Sequence, residues 1–206
     1  MKIEYVGRHM NHLLFSIFAC LTECSILSAT CREDTFTRYP NEYFVETGCH
    51  EGYGIDLALK AGFDHVYSIE LYPYYVNFCR ERFAVNPNVH IIEGDSGEAL
   101  YDVIKDIDKP ITFWLDAHLV RDYEILGYEP SPTLKELEAI KKHPIKTHTI
   151  LIDDIRLFRG PDEWGIEYGF PPLDAIMQTI LEINPNYEFS YEYGHIGSDI
   201  LVARVP

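Results

Sequence analysis

The sequence predicts an α/β domain with a mostly parallel, seven-stranded sheet, helices on both faces and a C-terminal antiparallel hairpin. Beyond residue 40, short apolar runs alternate with segments of helical periodicity, which is typical of a parallel sheet covered by helices. Residues 111–115 form a run without polar alternation, as in a strand that is buried on both faces. The last two strand-like runs have no room for a helix between them, so they must pair antiparallel.

Local patterns set the predicted elements in chain order. The strands are predicted at residues 43–47, 66–71, 89–93, 111–115, 149–152, 187–193 and 200–205, and the helices at 53–61, 73–85, 96–106, 133–142 and 173–183. Pro73 opens its helix because proline fits the first helical turn. Leu134, Leu137 and Ile140 share one side of the fourth helix. The hexapeptide 194–199 is the turn between the last two strands.

Residues 1–40 are predicted to form a helical extension ahead of the sheet domain, which takes residues 41–206. Leu14, Ile17 and Leu21 recur at helical spacing, and Glu23 interrupts the apolar character that a signal peptide would need. The apolar stripe of such a helix must be buried, so we expect either a lid over a ligand or a homodimer contact.

Composition and charge exclude several functional classes. The 206 residues include 17 Lys and Arg against 33 Asp and Glu, a net charge of −16, which would repel a nucleic acid. No uncharged apolar run reaches the roughly 18 residues of a membrane span. The five cysteines are an odd number without CxxC spacing. We therefore expect a cytoplasmic protein with neither a nucleic-acid partner nor a membrane span.

A glycine-rich segment follows the first predicted strand. Residues 46–54 read Glu-Thr-Gly-Cys-His-Glu-Gly-Tyr-Gly, and glycines at the start of a helix let a ligand approach the backbone. Glu70 ends the second strand 22 residues after Gly48, where its carboxylate can accept hydrogen bonds from both hydroxyls of a ribose. Asp95, after the third strand, either accepts from an adenine amine or caps the helix that begins at Ser96.

Acidic residues end the fourth and fifth predicted strands. Asp116 lies in Trp-Leu-Asp-Ala-His, and Asp153 and Asp154 end Ile-Leu-Ile-Asp-Asp. Since neighbouring parallel strands end at one edge of a sheet, we expect the three carboxylates together beside the cofactor crevice. Such a set repels itself unless a cation is present, and oxygen ligands suit Mg²⁺ or another hard divalent ion. The alternative is that Asp153 or Asp154 caps a turn and Asp116 only contacts the cofactor.

Together these motifs resemble the class I S-adenosylmethionine-dependent methyltransferases, over about residues 40–205. The resemblance implies a Rossmann-like methyltransferase fold with S-adenosylmethionine as cofactor. It implies that Glu46 and Gly48 lie near the methionine moiety, that Glu70 binds the ribose, and that Asp95 and Ser96 border the adenine. The full implied cofactor set is Glu46, Thr47, Gly48, Gly52, Glu70, Leu71, Asp95, Ser96 and Asp116. The glycine spacing departs from the family, because three residues separate Gly48 from Gly52.

The acidic set is similar to that of metal-dependent O-methyltransferases of the macrocin and novobiocin type, which methylate hydroxyls of deoxysugars. The same stretches also look like small FkbM-like methyltransferases, whose substrates are often glycans. The resemblance implies that Asp116, Asp153 and Asp154 bind the metal and that the acceptor is a sugar or glycan.

His118 stands where the macrocin type has an acidic residue that serves as base. Its imidazole can accept a proton near neutrality, so we expect His118 and Asp116 to be the catalytic residues. Two other roles for His118 stay open, as an extra metal ligand or as a histidine of the fold.

Three rival functions remain to be compared. A NAD(P)-dependent oxidoreductase is disfavoured by the absence of GxGxxG and of Tyr-x-x-x-Lys, and by the closing hairpin. An amine-directed nucleic-acid methyltransferase would usually carry an Asn- or Asp-Pro-Pro-Tyr element after the fourth strand. This chain has Asp-Ala-His-Leu at residues 116–119, which disfavours that function. The third is a non-catalytic cofactor-binding module. Two long loops, about residues 117–132 and 156–171, are expected to position the acceptor with Arg121, Tyr123, Tyr128, Arg156, Arg159, Trp164 and Tyr168.

Overall fold

A seven-stranded sheet forms the centre of the structure, a computed structural model that describes residues 31–118, 129–159 and 169–206. The strands are β1 (Tyr43–Thr47), β2 (His65–Glu70), β3 (Val89–Glu93), β4 (Ile111–Leu115), β5 (Thr149–Ile152), β6 (Glu188–Glu192) and β7 (Ile200–Arg204). The α-helices are α1 (Tyr53–Ala61), α2 (Pro73–Arg82), α3 (Ser96–Ile104), α4 (Thr133–Lys142) and α5 (Leu173–Ile183). Short 3-10 turns occupy Phe36–Arg38 and Ile155–Phe158.

The strand order is β3-β2-β1-β4-β5-β7-β6. The first five strands in this order are parallel, and β7 pairs antiparallel with both β5 and β6. This arrangement confirms the predicted fold class, including the closing hairpin. The chain order did not predict that β7 would lie next to β5, with β6 at the edge of the sheet.

Element ends differ slightly from the prediction. The helix that begins at Pro73 ends at Arg82 rather than at residue 85, because the turn before Pro87 disfavours helical backbone. Strand β2 ends at Glu70, so Leu71 lies just beyond it. The predicted helical segment around Leu14 to Leu21, and the loop residues Arg121, Tyr123, Tyr128, Trp164 and Tyr168, lie outside the described residues.

Alternate side chains of the strands fill two cores, one on each face of the sheet. One core packs the strands against α3, α4 and α5 through side chains such as Val45, Phe113, Ile150 and Leu201. The other packs them against α1 and α2 through Phe44, Trp114, Leu151 and Val202. Since side chains of a strand alternate between faces, continuous apolar runs are what a sheet covered on both sides requires.

Residues 31–39, the described part of the predicted N-terminal extension, pack on the α1 and α2 face. The ring of Phe36 lies 4.8 Å from that of Phe44 and 5.2 Å from that of Trp114. The guanidinium of Arg38 and the hydroxyl of Tyr39 both donate to Glu192 on β6. Within the described ranges, no helix is long and apolar enough to cross a membrane.

Two buried histidines join the amino-terminal ends of β4 and β5. Nδ1 of His148 accepts a hydrogen bond from the Ile111 N–H at 3.0 Å, so the proton of this ring is on Nε2. That N–H donates to Nδ1 of His143 at 3.0 Å, and Nε2 of His143 donates in turn to the carbonyls of Ile104 and Ile107. Neutral rings therefore satisfy every polar atom of this pair.

Candidate cofactor and metal site

The glycine-rich segment turns tightly between β1 and α1. Gly48 has a φ of 81°, and a Cβ at this position would lie 2.8 Å from the backbone oxygen of Asp116. At Gly54, a Cβ would overlap Oε1 of Glu46. Only glycine fits these two positions, because the first needs left-handed backbone and the second leaves no space for a side chain. The segment thus passes directly over the end of β4.

The three residues that separate Gly48 from Gly52 form their own turn. The Gly52 N–H donates to the carbonyl of Cys49, and His50 has a φ of 44°. The backbone N–H of His50 donates to Oε2 of Glu70 at 2.9 Å. The departure from the family's glycine spacing therefore adds a donor that fixes the predicted ribose-binding carboxylate.

Glu70 is only 5% exposed at the end of β2, and both of its oxygens are held. Besides Oε2, its Oε1 accepts from the Tyr72 N–H at 2.8 Å. Each carboxylate oxygen has a second lone pair, so the oriented group can still accept from two hydroxyls. In the same turn, Nδ1 of His50 is buried without a hydrogen-bond partner among the described residues.

Glu46 is buried in the middle of this end of the sheet. Its Oε2 accepts from the hydroxyl of Ser68 at 2.6 Å. Burial, with a smaller repulsion from Glu70, raises the pKa of Glu46 to about 8. The carboxyl is therefore mostly protonated at neutral pH and can donate a hydrogen bond as well as accept one.

Asp95 and Ser96 begin α3, and both side chains have partners within the protein. Oδ1 of Asp95 accepts from the Gly97 N–H at 2.9 Å, which is the capping role that the sequence left open. The Ser96 hydroxyl donates to Oε1 of Glu136 at 2.6 Å. Sequence reasoning missed Glu136, a fully buried carboxyl on α4 whose pKa burial raises to about 7. A contact of Asp95 and Ser96 with adenine stays a prediction, as does one of Thr47, which is buried at the end of β1.

The structure brings Asp116, His118 and Asp154 together at the ends of β4 and β5. Nδ1 of His118 lies 3.7 Å from Oδ1 of Asp116, and its Nε2 lies 3.3 Å from Oδ2 of Asp154. One ligand atom from each of the three lies within 4.8 Å of the others, which is a spacing that fits one metal ion. Two carboxylates and an imidazole are donors that divalent cations accept.

Asp153 belongs to a second group, with Asp154 and Asp199. Asp199 is fully buried in the turn before β7, and Nη1 of Arg156 donates both to it and to Oδ1 of Asp154. Oδ1 of Asp153 accepts from the Asp154 N–H at 2.8 Å. Sequence reasoning missed Asp199, because only the position of β7 beside β5 brings it here.

Burial is the largest cause of the pKa shifts of the carboxyl groups at this edge. It raises the pKa of Asp116 and of Asp153 well above the usual range, and repulsion from neighbouring carboxylates adds to the shift. Arg156 offsets part of this effect for both residues. A divalent cation among these donors would oppose the same repulsion, so the residues present fit such an ion.

Comparisons with known proteins agree on the fold. No family model matches the chain, and no curated protein matches it. Among solved structures, a protein of Staphylococcus aureus proposed to be a caffeoyl-CoA O-methyltransferase has a TM-score of 0.58 at 15% identity, over 93% of this chain and 91% of that one. A proposed methyltransferase of Streptococcus mutans, in complex with SAH, has a TM-score of 0.56 at 14% identity, over 84% and 95%.

A third similar structure is the O-methyltransferase TomG of Streptomyces achromogenes, in complex with SAM. Its TM-score is 0.56 at 14% identity, over 84% of this chain and 78% of that one. Identities this low relate the folds alone. With its strand order and antiparallel closing hairpin, the chain has the Rossmann-like fold of S-adenosylmethionine-dependent methyltransferases.

Proposed function

We propose that this protein is an S-adenosylmethionine-dependent O-methyltransferase that methylates a hydroxyl of a sugar or glycan with the help of a divalent cation. The observation that carries the proposal is the adjacency of two sites. The cofactor loop passes so close to β4 that a Cβ at Gly48 would lie 2.8 Å from the backbone oxygen of Asp116. A molecule of S-adenosylmethionine held by the loop would therefore lie beside the cluster of Asp116, His118 and Asp154.

The reaction needs little chemistry from the protein, because the sulfonium is already activated. The acceptor oxygen attacks the methyl carbon, a C–O bond forms, and the C–S bond breaks with its electron pair going to sulfur. The products are the methyl ether, S-adenosylhomocysteine and the proton of the hydroxyl. The protein's main contribution is to align the oxygen with the methyl carbon and the leaving sulfur.

On the cofactor side, the oriented carboxylate of Glu70 would accept from the ribose hydroxyls. Glu46 and the loop around Gly48 would contact the methionine moiety. The structural likeness to SAM-bound and SAH-bound methyltransferases supports this cofactor, and the antiparallel β7 disfavours a NAD(P)-dependent oxidoreductase, whose strands stay parallel.

The cation would be held by carboxylates of Asp116 and Asp154, with Asp153 or His118 beside them. When bound, such an ion lowers the pKa of a coordinated hydroxyl. His118 can serve either as the base that takes the proton or as a ligand of the ion, and a nitrogen that binds the ion has no lone pair left for a proton.

The surroundings of the acidic cluster support a sugar acceptor. The turn between β6 and β7 lies over it, since a Cβ at Gly194 would lie 3.2 Å from Oδ1 of Asp153. Tyr191 and Tyr193, at the end of β6 and just beyond it, are 42% and 48% exposed, and the guanidinium groups of Arg159 and Arg32 lie over their rings. Aromatic faces with polar edges suit sugar rings.

The net charge of −16 argues against a nucleic-acid acceptor. The described cysteines are free thiols, which supports a reducing, cytoplasmic setting.

A methyl-transfer assay tests the proposal. S-adenosylhomocysteine release would be measured over a panel of deoxysugars and glycans, with and without chelator, on the wild type, Asp116→Asn and the matched control Asp174→Asn. Asp174 is an exposed aspartate in the first turn of α5. We expect turnover that chelator and Asp116→Asn abolish and that Asp174→Asn retains. Cofactor binding without turnover on any acceptor would instead favour a non-catalytic module.

A further inference from the structure

His118 lies between the carboxylates of Asp116 and Asp154. The closest nitrogen–oxygen separations are 3.7 Å and 3.3 Å, and all three side chains are largely buried. Around a cation with bonds of about 2.1 Å, neighbouring ligand atoms lie roughly 3.0–3.4 Å apart. The 3.7 Å distance starts at Nδ1 and the 3.3 Å distance at Nε2, and only one of these nitrogens can bind a given ion. Since one ligand atom from each of the three residues lies within 4.8 Å of the others, a change of side-chain torsion angles would bring them to this spacing around one ion.

Arg156 sets the second carboxylate group apart from this one. Its Nη1 already donates to Asp199 and to Oδ1 of Asp154, so it supplies positive charge on that side. Oδ1 of Asp153 is held by the Asp154 N–H. The oxygen of Asp154 that faces His118 is the other one, Oδ2. The donors grouped on the side away from Arg156 are thus Oδ2 of Asp154, Oδ1 of Asp116 and a nitrogen of His118, whereas Asp153 is grouped with Asp154 and Asp199.

We propose that His118, rather than Asp153, completes the metal site with Asp116 and Asp154, and that this makes the site prefer a later first-row transition ion such as Co²⁺ or Ni²⁺ over Mg²⁺. Carboxylate sets suit Mg²⁺, whereas imidazole nitrogen favours transition metals, whose affinities rise along the series from Mn²⁺. The inference rests on the proposed metal-assisted methyl transfer. It also assigns His118 as a ligand and not as the base.

Metal binding can be measured without turnover. Co²⁺ bound to a nitrogen and oxygens absorbs visible light, so Co²⁺ would be titrated into the metal-free protein and then displaced by Mn²⁺ or Mg²⁺, with calorimetry for the colourless ions. We expect the wild type to bind Co²⁺ at least about tenfold more tightly than Mg²⁺, with Mn²⁺ between the two. Equal affinities, or tighter Mg²⁺ binding, would overturn the proposal.

Two variants separate His118 from Asp153. His118→Asp makes the donor set all-carboxylate, so Co²⁺ affinity should fall on the order of 10–100-fold, at least as much as when an outer partner is lost, while Mg²⁺ affinity is kept. Asp153→Asn keeps an oxygen to accept from the Asp154 N–H and should change Co²⁺ affinity less than threefold, roughly. The reverse pattern, with Asp153→Asn costly and His118→Asp neutral, would contradict the inference.

Folding controls and activity separate the possible failures. Circular dichroism and S-adenosylhomocysteine binding should be unchanged in both variants, and His195→Asp, an exposed histidine in the β6–β7 turn, is the matched control for a new carboxylate. Selective Co²⁺ binding without methyl transfer would contradict the proposed function and support this inference. Methyl transfer that persists with no ion bound would overturn the metal site and leave the methyltransferase function standing.

Discussion

Strands β4 and β5 have buried polar groups at both of their ends. At the amino ends these groups hydrogen-bond to one another, whereas at the carboxyl ends they repel one another. At the amino ends, His143 and His148 are fully buried, and each ring nitrogen has a partner. At the carboxyl ends, Asp116 and Asp153 are held among other carboxylates, and their pKa values rise well above the usual range. Buried polar groups that satisfy one another stabilise a fold, whereas like charges kept together point to a ligand that is to neutralise them.

The largest expected effect is at the carboxyl end. Gly54→Ala would place a Cβ against Oε1 of Glu46, a buried carboxyl that cannot move aside easily. We expect a loss of about 2–3 kcal/mol in the free energy of unfolding, with weaker binding of S-adenosylhomocysteine. Chemical denaturation and calorimetry measure both. Gly197→Ala is the matched control, because a Cβ there meets nothing within 4 Å; an equal loss in both variants would contradict the steric reason.

The substitution Glu70→Gln should have the next largest effect. The substitution removes the charge that accepts from the ribose hydroxyls, so affinity for S-adenosylhomocysteine should fall by about 1.5–3 kcal/mol, which is roughly 10–100-fold. Its matched control is Glu93→Gln, since Glu93 stands beside Glu70 in register at the end of β3 and is half exposed. Similar affinities for the two variants would show that the cofactor does not lie over β2.

The histidine pair at the amino end predicts a loss of stability in acid. Burial lowers the pKa of His148 from 6.5 to about 3, and the electrostatic influence of the neighbouring His143 and Lys146 on a protonated His148 adds to the effect. Since the unfolded chain takes up this proton first, its contribution to stability is complete above pH 6.5 and is lost as the pH falls towards 3. The slope from this residue is at most about 1.4 kcal/mol per pH unit.

His148→Asn tests that slope, because an amide oxygen can still accept from the Ile111 N–H but does not titrate. The variant is expected to be less stable at pH 7 and to lose less stability on acidification than the wild type. Unfolding curves at a series of pH values measure both. Parallel pH profiles would mean that His148 does not couple to acid unfolding.

A pH effect of the opposite sign belongs to Glu46. Its pKa is raised from 4.5 to about 8, so its contribution to stability is complete below pH 4.5 and is lost as the pH rises through 8. Glu46→Gln, a neutral mimic of the protonated acid, should therefore become more stable relative to the wild type as the pH rises over this range. Glu136, with a pKa of about 7, acts in the same direction in both proteins and cancels in the comparison. A difference that is constant with pH would indicate that Glu46 is ionised throughout.

Sequence reasoning found the acidic edge because neighbouring parallel strands must end together. Asp116 directly follows β4, and Asp153 and Asp154 are the first two residues after β5, so their common edge did not depend on side-chain detail. Which of these side chains lie next to one another did depend on side-chain direction. His118 faces Asp116 and Asp154, whereas Asp153 faces Asp199, and these pairings follow from how each backbone leaves its strand.

The sequence by itself determined the alternation of strands and helices, the closing hairpin and the carboxylates at the strand ends, because each of these follows from periodicity over a few neighbouring residues. Only the tertiary structure decided that β7 lies beside β5, which brings Asp199 and Arg156 together across 43 positions of the chain. It also decided that Asp95 caps a helix and that Gly54 makes room for Glu46. Such contacts depend on long-range packing and side-chain direction, which local sequence patterns do not carry.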